Sequence, residues 1–483
     1  MKFKTLIMLG IIFLCLLMVV VMKKSMKPKE AVTEKYQEII SAPFNLDDIT
    51  SCDFYLTWDL ADKEPPPISI VKDRENWVTV GDYNLPVNKE ALTNLINKVN
   101  GMEGELRSSN AEIFEDYGIS DKKSLHIILR STPEQELVHL VVGTERPDWQ
   151  HNFVRLKGSE KVYVTRTNLL SEFGFWEKVE PEKFDRGKWI DKHLSDFDVD
   201  KTVSIEITKT QDGEKETILN LIRKTQDGKK KWEVARSSAF RVSEGKIKNF
   251  LIEIKSSLVK NQTDPAQQSY FDKTDWQMKI MLDDTSEILI TRGEKVTGAD
   301  DYYFKVSGAS CNFIVSADTF KSLDQTDADF FIDNPLGIEE SEIKELNIKN
   351  VKKKQNMVIV NTTKKSSNDA QEDVQHASLF QEGETSWKDK NGKELDAQKV
   401  RENIKQIKDI TLRMFPGKRI PEKNIFMYSI VKNNGETIDF DISKELEING
   451  KEYNGFKLTG NNSNYFLESN YVTVWIESLS KLK

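Results

Sequence analysis

Three stretches of the chain carry the same order of apolar and polar positions. Trp77, Trp232 and Trp387 stand 155 residues apart, each closing a strand-like alternation. Within 9 to 11 residues follow Asn88, Ser243 and Asp396, side chains whose oxygen accepts from a free first-turn N–H and so starts a helix. Four residues after each cap an apolar stripe begins: Leu92, Leu95, Ile96, Val99 in the first stretch and Ile247, Phe250, Leu251, Ile254 in the second. The third reads Val400, Ile404, Ile407, with Asn403 at the missing place. This spacing lays one face of a helix on a core.

Beyond each helix the period turns to two. Strands are predicted at 125–129, 137–142, 153–156 and 162–165, then at 278–282, 288–291, 302–306 and 312–315, then at 427–431, 437–442, 456–458 and 465–467. Gly158, Gly308 and Gly460 punctuate them at matching places, as an antiparallel meander requires. Each stretch also opens alike, with an acidic turn before a strand at 52–57, 203–207 or 346–348. The expected fold class is therefore α+β, with three tandem related modules over 43–195, 196–335 and 336–483. Each is an antiparallel sheet with one main packed helix. The tryptophans read as core anchors at strand ends rather than as a ladder for sugars. The charged segment Lys364–Gln375 reads as a flexible insertion in the third module.

Ahead of the modules, Thr5 to Met22 is an uncharged run between lysines. Eighteen residues at about 1.5 Å each span about 27 Å, enough for one transmembrane helix. The segment 1–30 is therefore expected to be an N-terminal anchor and its flanks. A cleaved signal peptide needs small residues before the cut, and Met18 to Met22 offers only Val and Met. Cleavage within Ser25 to Ala31 is the alternative. Lysines lie on both sides of the helix, so charge alone does not orient it. Long domains translocate largely regardless of charge, which favours an extracytoplasmic body.

The net charge is −8, but the first thirty residues carry +5 and leave the remainder near −13. An acidic body without a basic, aromatic-interleaved stripe argues against nucleic-acid binding. Of the three cysteines, Cys15 lies in the apolar run, and Cys52 and Cys311 fall in different modules as ordinary thiols rather than a disulfide.

Several segments of the first module resemble the bacterial domain-of-unknown-function 4340 family. They are Glu75-Asn76-Trp77-Val78-Thr79-Val80, Asp116-Tyr117-Gly118-Ile119, Leu140-Val141-Val142-Gly143, Val162-Tyr163-Val164 and Lys188-Trp189-Ile190-Asp191-Lys192. The other modules match more loosely, and no Tyr-Gly-Ile follows the helix of the second. The resemblance implies a membrane helix followed by such modules. It also implies a setting beside a gliding-motility-type ABC transporter and its extracytoplasmic auxiliary subunit. It carries no catalytic residue.

The search for chemistry yields little. His126 and His139 fall on neighbouring predicted strands, but no third ligand has metal spacing. No G-x-S-x-G elbow, P-loop or H-E-x-x-H pair occurs. Gly308-Ala309-Ser310-Cys311 lacks the second glycine of a nucleophile turn and reads as a hairpin turn. Asp283-Asp284 and Asp300-Asp301 read as solvated turn carboxylates rather than a calcium loop. No catalytic, cofactor or metal residue is assigned. Trp149, Phe175 and Trp176 have no counterparts in the other modules and are the first place to look for a recognition surface. The expected function is a non-catalytic, membrane-anchored extracytoplasmic accessory or scaffold protein, touching lipid through Thr5 to Met22 and a membrane protein such as ABC transporter subunits. The alternative is a receptor holding a glycan or peptide in a cleft between modules.

Overall fold

The computed structural model describes residues 36–58, 64–74, 76–211, 213–226, 228–237, 239–362 and 386–482. The expected anchor Thr5–Met22 and the segment Lys364–Gln375 lie outside the described residues. Among the described residues no helix is long and apolar enough to cross a membrane. The fold is mixed α+β, with three antiparallel sheets and few helices. The chain divides into two compact units, Met1–Asp191 and Lys192–Lys483.

The first unit holds one nine-stranded sheet. Its spatial order is Gln37–Glu38, Glu103–Ser108, Val162–Thr165, Asn152–Leu156, Gln135–Gly143, Ser124–Thr132, Ser51–Thr57, Ile68–Asp73 and Asn76–Thr79. The opening strand Ser51–Thr57 sits inside the sheet. Its Cys52, Phe54 and Leu56 point inward, alternating with half-buried residues as period-two geometry demands. Helix α1 (Lys89–Val99) covers that face. The Asn88 side chain accepts from Ala91 N–H at its start, and Leu92, Leu95, Ile96 and Val99 are buried. Trp77 and Trp189 complete the core, with Phe54 4.8 Å and Phe173 5.1 Å from the Trp189 ring.

The second unit holds two eight-stranded sheets. One runs Lys229–Val234, Glu214–Gln226, Thr202–Gln211, Trp276–Leu282, Glu287–Lys295, Asp301–Val306, Asn312–Ser316, Asn261–Thr263. The other runs Glu394–Leu395, Trp387–Asp389, Gln355–Asn361, Ile343–Asn350, Asn424–Lys432, Thr437–Ile448, Lys451–Leu458, Tyr465–Glu468. In all three sheets the opening strand lies between a hairpin partner and the first strand of the meander. Helix α2 (Glu244–Ser256) begins at Ser243, whose side chain accepts from Lys246 N–H, and buries Ile247, Phe250, Leu251 and Ile254. Trp232 and Trp387 are buried like Trp77.

The expectation of one main helix per sheet needs correction only in the third sheet, which carries two helices of 12 residues. A second helical element follows the last meander strand each time. It is a 3-10 turn at Leu170–Phe173 in the first unit. In the second it is helix α3 (Ala317–Leu323) and, after helix α4 (Ala397–Lys408, capped by Asp396), helix α5 (Ser469–Ser480). Helix α5 packs on α4 and explains the polar residue in that apolar stripe. Asn403 is buried and donates to the Ser478 hydroxyl at 3.1 Å, while the Tyr471 hydroxyl donates to the Gln406 carbonyl.

An aromatic pair also recurs where the segment after each principal helix meets the third meander strand. Tyr117 lies 4.2 Å from Phe153, Tyr270 stacks on Tyr303 at 3.8 Å, and Phe415 lies 4.8 Å from Tyr453. In the first unit two glycines allow the approach. A Cβ on Gly143 would overlap the Tyr117 carbonyl oxygen, and Gly118 has φ +58° with the Thr144 hydroxyl where its Cβ would stand. In the second unit a Cβ on Gly293 would overlap the Tyr270 carbonyl in the same way. The second sheet therefore keeps this joint without the Tyr-Gly-Ile segment.

Within the second unit the two sheets are joined by Phe240, which stacks on Phe331 at 4.6 Å and meets Tyr465 edge-on at 5.0 Å. Phe240→Ala is expected to cost about 3–5 kcal/mol through the cavity it leaves. Hydrogen exchange should then rise in Trp276–Leu282 and Asn424–Lys432 together. Lost protection in one sheet alone would show that the two sheets unfold separately.

Candidate functional site

Register places both histidines on the outward face of the first sheet. Ser124–Thr132 pairs with Gln135–Gly143 so that His126 faces Val141 and Ile128 faces His139. The result is a chain of polar contacts. The Ser124 hydroxyl donates its one proton to the Ser120 carbonyl at 2.7 Å, so its oxygen takes the His126 Nε2–H at 3.0 Å. The bare Nδ1 of neutral His126 then accepts from His139 Nε2–H at 3.1 Å. His139 Nδ1 is left facing the Glu136 carboxylate at 3.4 Å. A proton arriving at this pair is therefore taken by His139.

Burial, and then the neighbouring His139, lowers the pKa of His126 to about 4. Burial lowers that of His139 as well, opposed by Glu136. Tyr55 stacks on the His126 ring at 4.5 Å and closes it from the side. Arg130 pairs with Asp53, and Asp121 takes both Arg155 and Lys157. Ser124 is fully buried. Among the described residues no three His, Cys, Asp or Glu side chains are placed to hold a metal ion.

Of the three residues expected at a recognition surface, the structure exposes two. Trp149 is 71% and Trp176 70% accessible. Phe175 is a correction: it is fully buried and packs on Phe184 at 6.1 Å, because Gly174 turns the chain with φ +89° and sends the next side chain into the core. The loop carrying Trp149 lies along the segment that leads to Trp176. Asn168 Nδ2 donates to the Trp149 carbonyl at 2.7 Å and Arg146 Nη2 to the Phe175 carbonyl at 3.5 Å. Asp148 braces the loop tip, accepting from Gln150 N–H at 2.7 Å, His151 N–H at 3.0 Å and the His151 ring at 2.7 Å. The His151 contact holds its carboxyl below the usual range.

Sequence reasoning missed Arg146. Its Nη1 is buried and has no hydrogen-bond partner among the described residues, and burial depresses its pKa. Nothing in Glu145-Arg146-Pro147 sets this arginine apart from an ordinary surface one. Only the loop's path along residues 168–176 does so.

The remaining sequence candidates are structural. Gly308 turns a hairpin with φ +79°, and the Cys311 thiol is buried, which raises its pKa to about 11. Cys52 is buried and its pKa is pushed up further by the same cause. Both are free thiols. Asp284 braces its turn through Ser286, but Asp301 is not a solvated carboxylate: it is buried and takes Lys260 Nζ at 2.8 Å and 3.0 Å. In the second unit a cleft of about 600 Å³ opens where the turn 416–419 of one sheet meets residues 209–211 and 214–217 of the other.

Residues 77–269 match the model of a family described as Domain of unknown function (DUF4340). The match begins at Trp77, passes through the joint of Tyr117 and Gly143, and ends at the 3-10 turn that carries Tyr270. No curated protein and no solved structure matches the chain.

The histidine chain sets a pH dependence. The folded pKa of His126, about 4, lies below its ordinary 6.5, so the unfolded chain binds the proton first as pH falls. Stability is full above 6.5 and declines toward 4, by on the order of 3 kcal/mol for this ring. Urea midpoints at about pH 7 and about pH 4.5 should differ accordingly, and His126→Gln should flatten the difference. An unchanged slope in that variant would show that the ring is not the group involved.

Proposed function

We propose that the chain is a non-catalytic, membrane-anchored accessory or scaffold protein that docks a membrane-protein partner of an ABC transporter or envelope complex. On this reading Thr5–Met22 is the tether and the body lies on the extracytoplasmic side. The body comprises three related modules, 43–195, 196–335 and 336–483, and the common strand order of the three sheets supports that repetition.

The observation that carries the docking role is the rim formed by Trp149, Arg146 and Trp176. Tryptophan and arginine are the side chains that dominate interface energetics. Here two tryptophans stand in solvent on a loop and segment already fixed by Asn168, Asp148 and Arg146. A surface held in place before contact loses less freedom on binding. Arg146 adds a half-buried cation beside them, which favours a partner bearing carboxylates at the contact.

The receptor reading is favoured by the cleft of the second unit, but its chemistry differs from a sugar-stacking pocket. Its lining holds no aromatic residue and is rich in charged side chains.

The test is purification of the full-length chain from gently solubilised membranes, beside the double variant Trp149→Ala with Trp176→Ala. Transporter subunits recovered in near-equal amount with the parent should be lost with the variant, at about 2 kcal/mol or more per tryptophan. The two urea midpoints should agree, since neither side chain is in the core. A parent recovered alone, or a variant that keeps its partners, would refute the role assigned to the rim. Protease added to intact spheroplasts should digest the body, and resistance would reverse the orientation.

A further inference from the structure

The cleft of the second unit is assembled from chain segments roughly two hundred residues apart, and its mouth is clasped by contacts across the two sheets. Gly417 N–H donates to Glu216 at 2.8 Å, and Arg419 donates to both oxygens of Glu214 at 2.9 Å and 2.8 Å. Gly417, with φ +74°, brings its backbone so near the Gln211 amide that a Cβ would overlap it. The enclosed space of about 600 Å³ is within the range of sites that hold small molecules.

Its charge pattern is uneven. Lys209, Lys215, Arg236, Lys418 and Arg419 line it, against Glu214 and Glu216. Three of these cations have carboxylate partners: Lys209 pairs with Asp324 at 2.6 Å, Arg236 with the fully buried Asp327, and Arg419 with Glu214. Lys215 reaches only the amide oxygen of Gln277 at 3.5 Å, and Lys418 has no carboxylate partner among the described residues. The buried side of the cleft is rigid. Asp327 also accepts from Asn220 N–H at 2.7 Å, and Arg236 Nη1 donates to the Thr217 carbonyl at 2.5 Å. Arg236 Nε stays buried with no acceptor among the described residues. Thr217 and Asn464 add neutral hydrogen-bonding groups.

A guanidinium held by Asp327, beside two ammonium groups that have no paired carboxylate among the described residues, calls for oxygens carrying more than one negative charge. We infer that this cleft binds a small polyvalent oxyanion, a phosphate or a multiply carboxylated acid, held by Lys215, Lys418 and Arg236. The site is independent of the rim at Trp149 and Trp176. It adds a ligand-responsive element to the unit in which two sheets meet.

The test is calorimetry on the full-length protein with sodium phosphate and with sodium citrate, each against sodium chloride at equal ionic strength. Saturable heat with either anion, and none with chloride, is the expected result, and which anion gives it separates the two sources. The double variant Lys215→Ala with Lys418→Ala alters only exposed side chains and should weaken binding about tenfold or more. Lys230→Ala with Lys231→Ala, on an exposed edge strand away from the cleft, should leave it unchanged. Absence of saturable heat with both anions would overturn the inference, as would equal weakening in the two double variants.

Discussion

Every sheet in this protein depends on one long-range pairing, that of the opening strand with the first strand of the meander. Cys52 faces Leu129, Phe54 faces Ile127 and Leu56 faces Leu125 in the first sheet. Ile205 faces Ile280 in the second, and Ile348 faces Tyr428 in the third. Each pairing closes a loop that contains a hairpin and a helix, so its entropy cost is met only when the helix buries its stripe on the same face. A slip of one residue would turn Cys52, Phe54 and Leu56 outward and strand the helix without a core. The capped helix and the register of the central pair therefore stabilise each other.

That coupling explains which features were legible in the sequence. Caps, apolar stripes and meander strands are local patterns, and Asn88, Ser243 and Asp396 each accept from first-turn N–H groups as their positions suggest. The meander strands contain the predicted ranges. Helix α5 was not legible, because Ser469–Ser480 carries Tyr471, Val472, Thr473, Val474, Trp475 and Ile476 in succession, residues with strand preference. Tertiary packing selects the helix: Trp475 lies 4.9 Å from Tyr428 and 6.0 Å from Phe440 of the sheet, Val472 and Leu479 are buried, and Asn403 of α4 donates to Ser478. The joint of Tyr270 with Gly293 was hidden for another reason. The contact needs a carbonyl oxygen and a missing Cβ, neither of which fixes a sequence motif.

The candidate sites were less legible than the fold, since each depends on segments brought together by tertiary structure. Phe175 and Trp176 are adjacent in sequence and opposite in fate. The left-handed turn at Gly174 sends one into the core beside Phe184 and leaves the other in solvent. Arg146 acquires its unmet donor only where its loop crosses the Phe175 carbonyl. The cleft clasped by Glu216 with Gly417 and by Glu214 with Arg419 joins residues 201 and 205 positions apart, beyond the reach of any periodicity.

Two buried ionisable groups show how the fold treats polarity: His126, on a sheet face, is held between Ser124 and His139, and Asp327, in a 3-10 turn, between Arg236 and Asn220. Leaving such groups unpaired would cost more than their bonds contribute, so the fold closes them off from chemistry. Arg146 on a loop and Arg236 beside a cleft are among the described residues that keep a buried polar atom without a hydrogen-bond partner. The recognition surfaces proposed for this fold lie on a loop and at a seam between two sheets, where exposed tryptophan and lysine side chains stand outside the paired core.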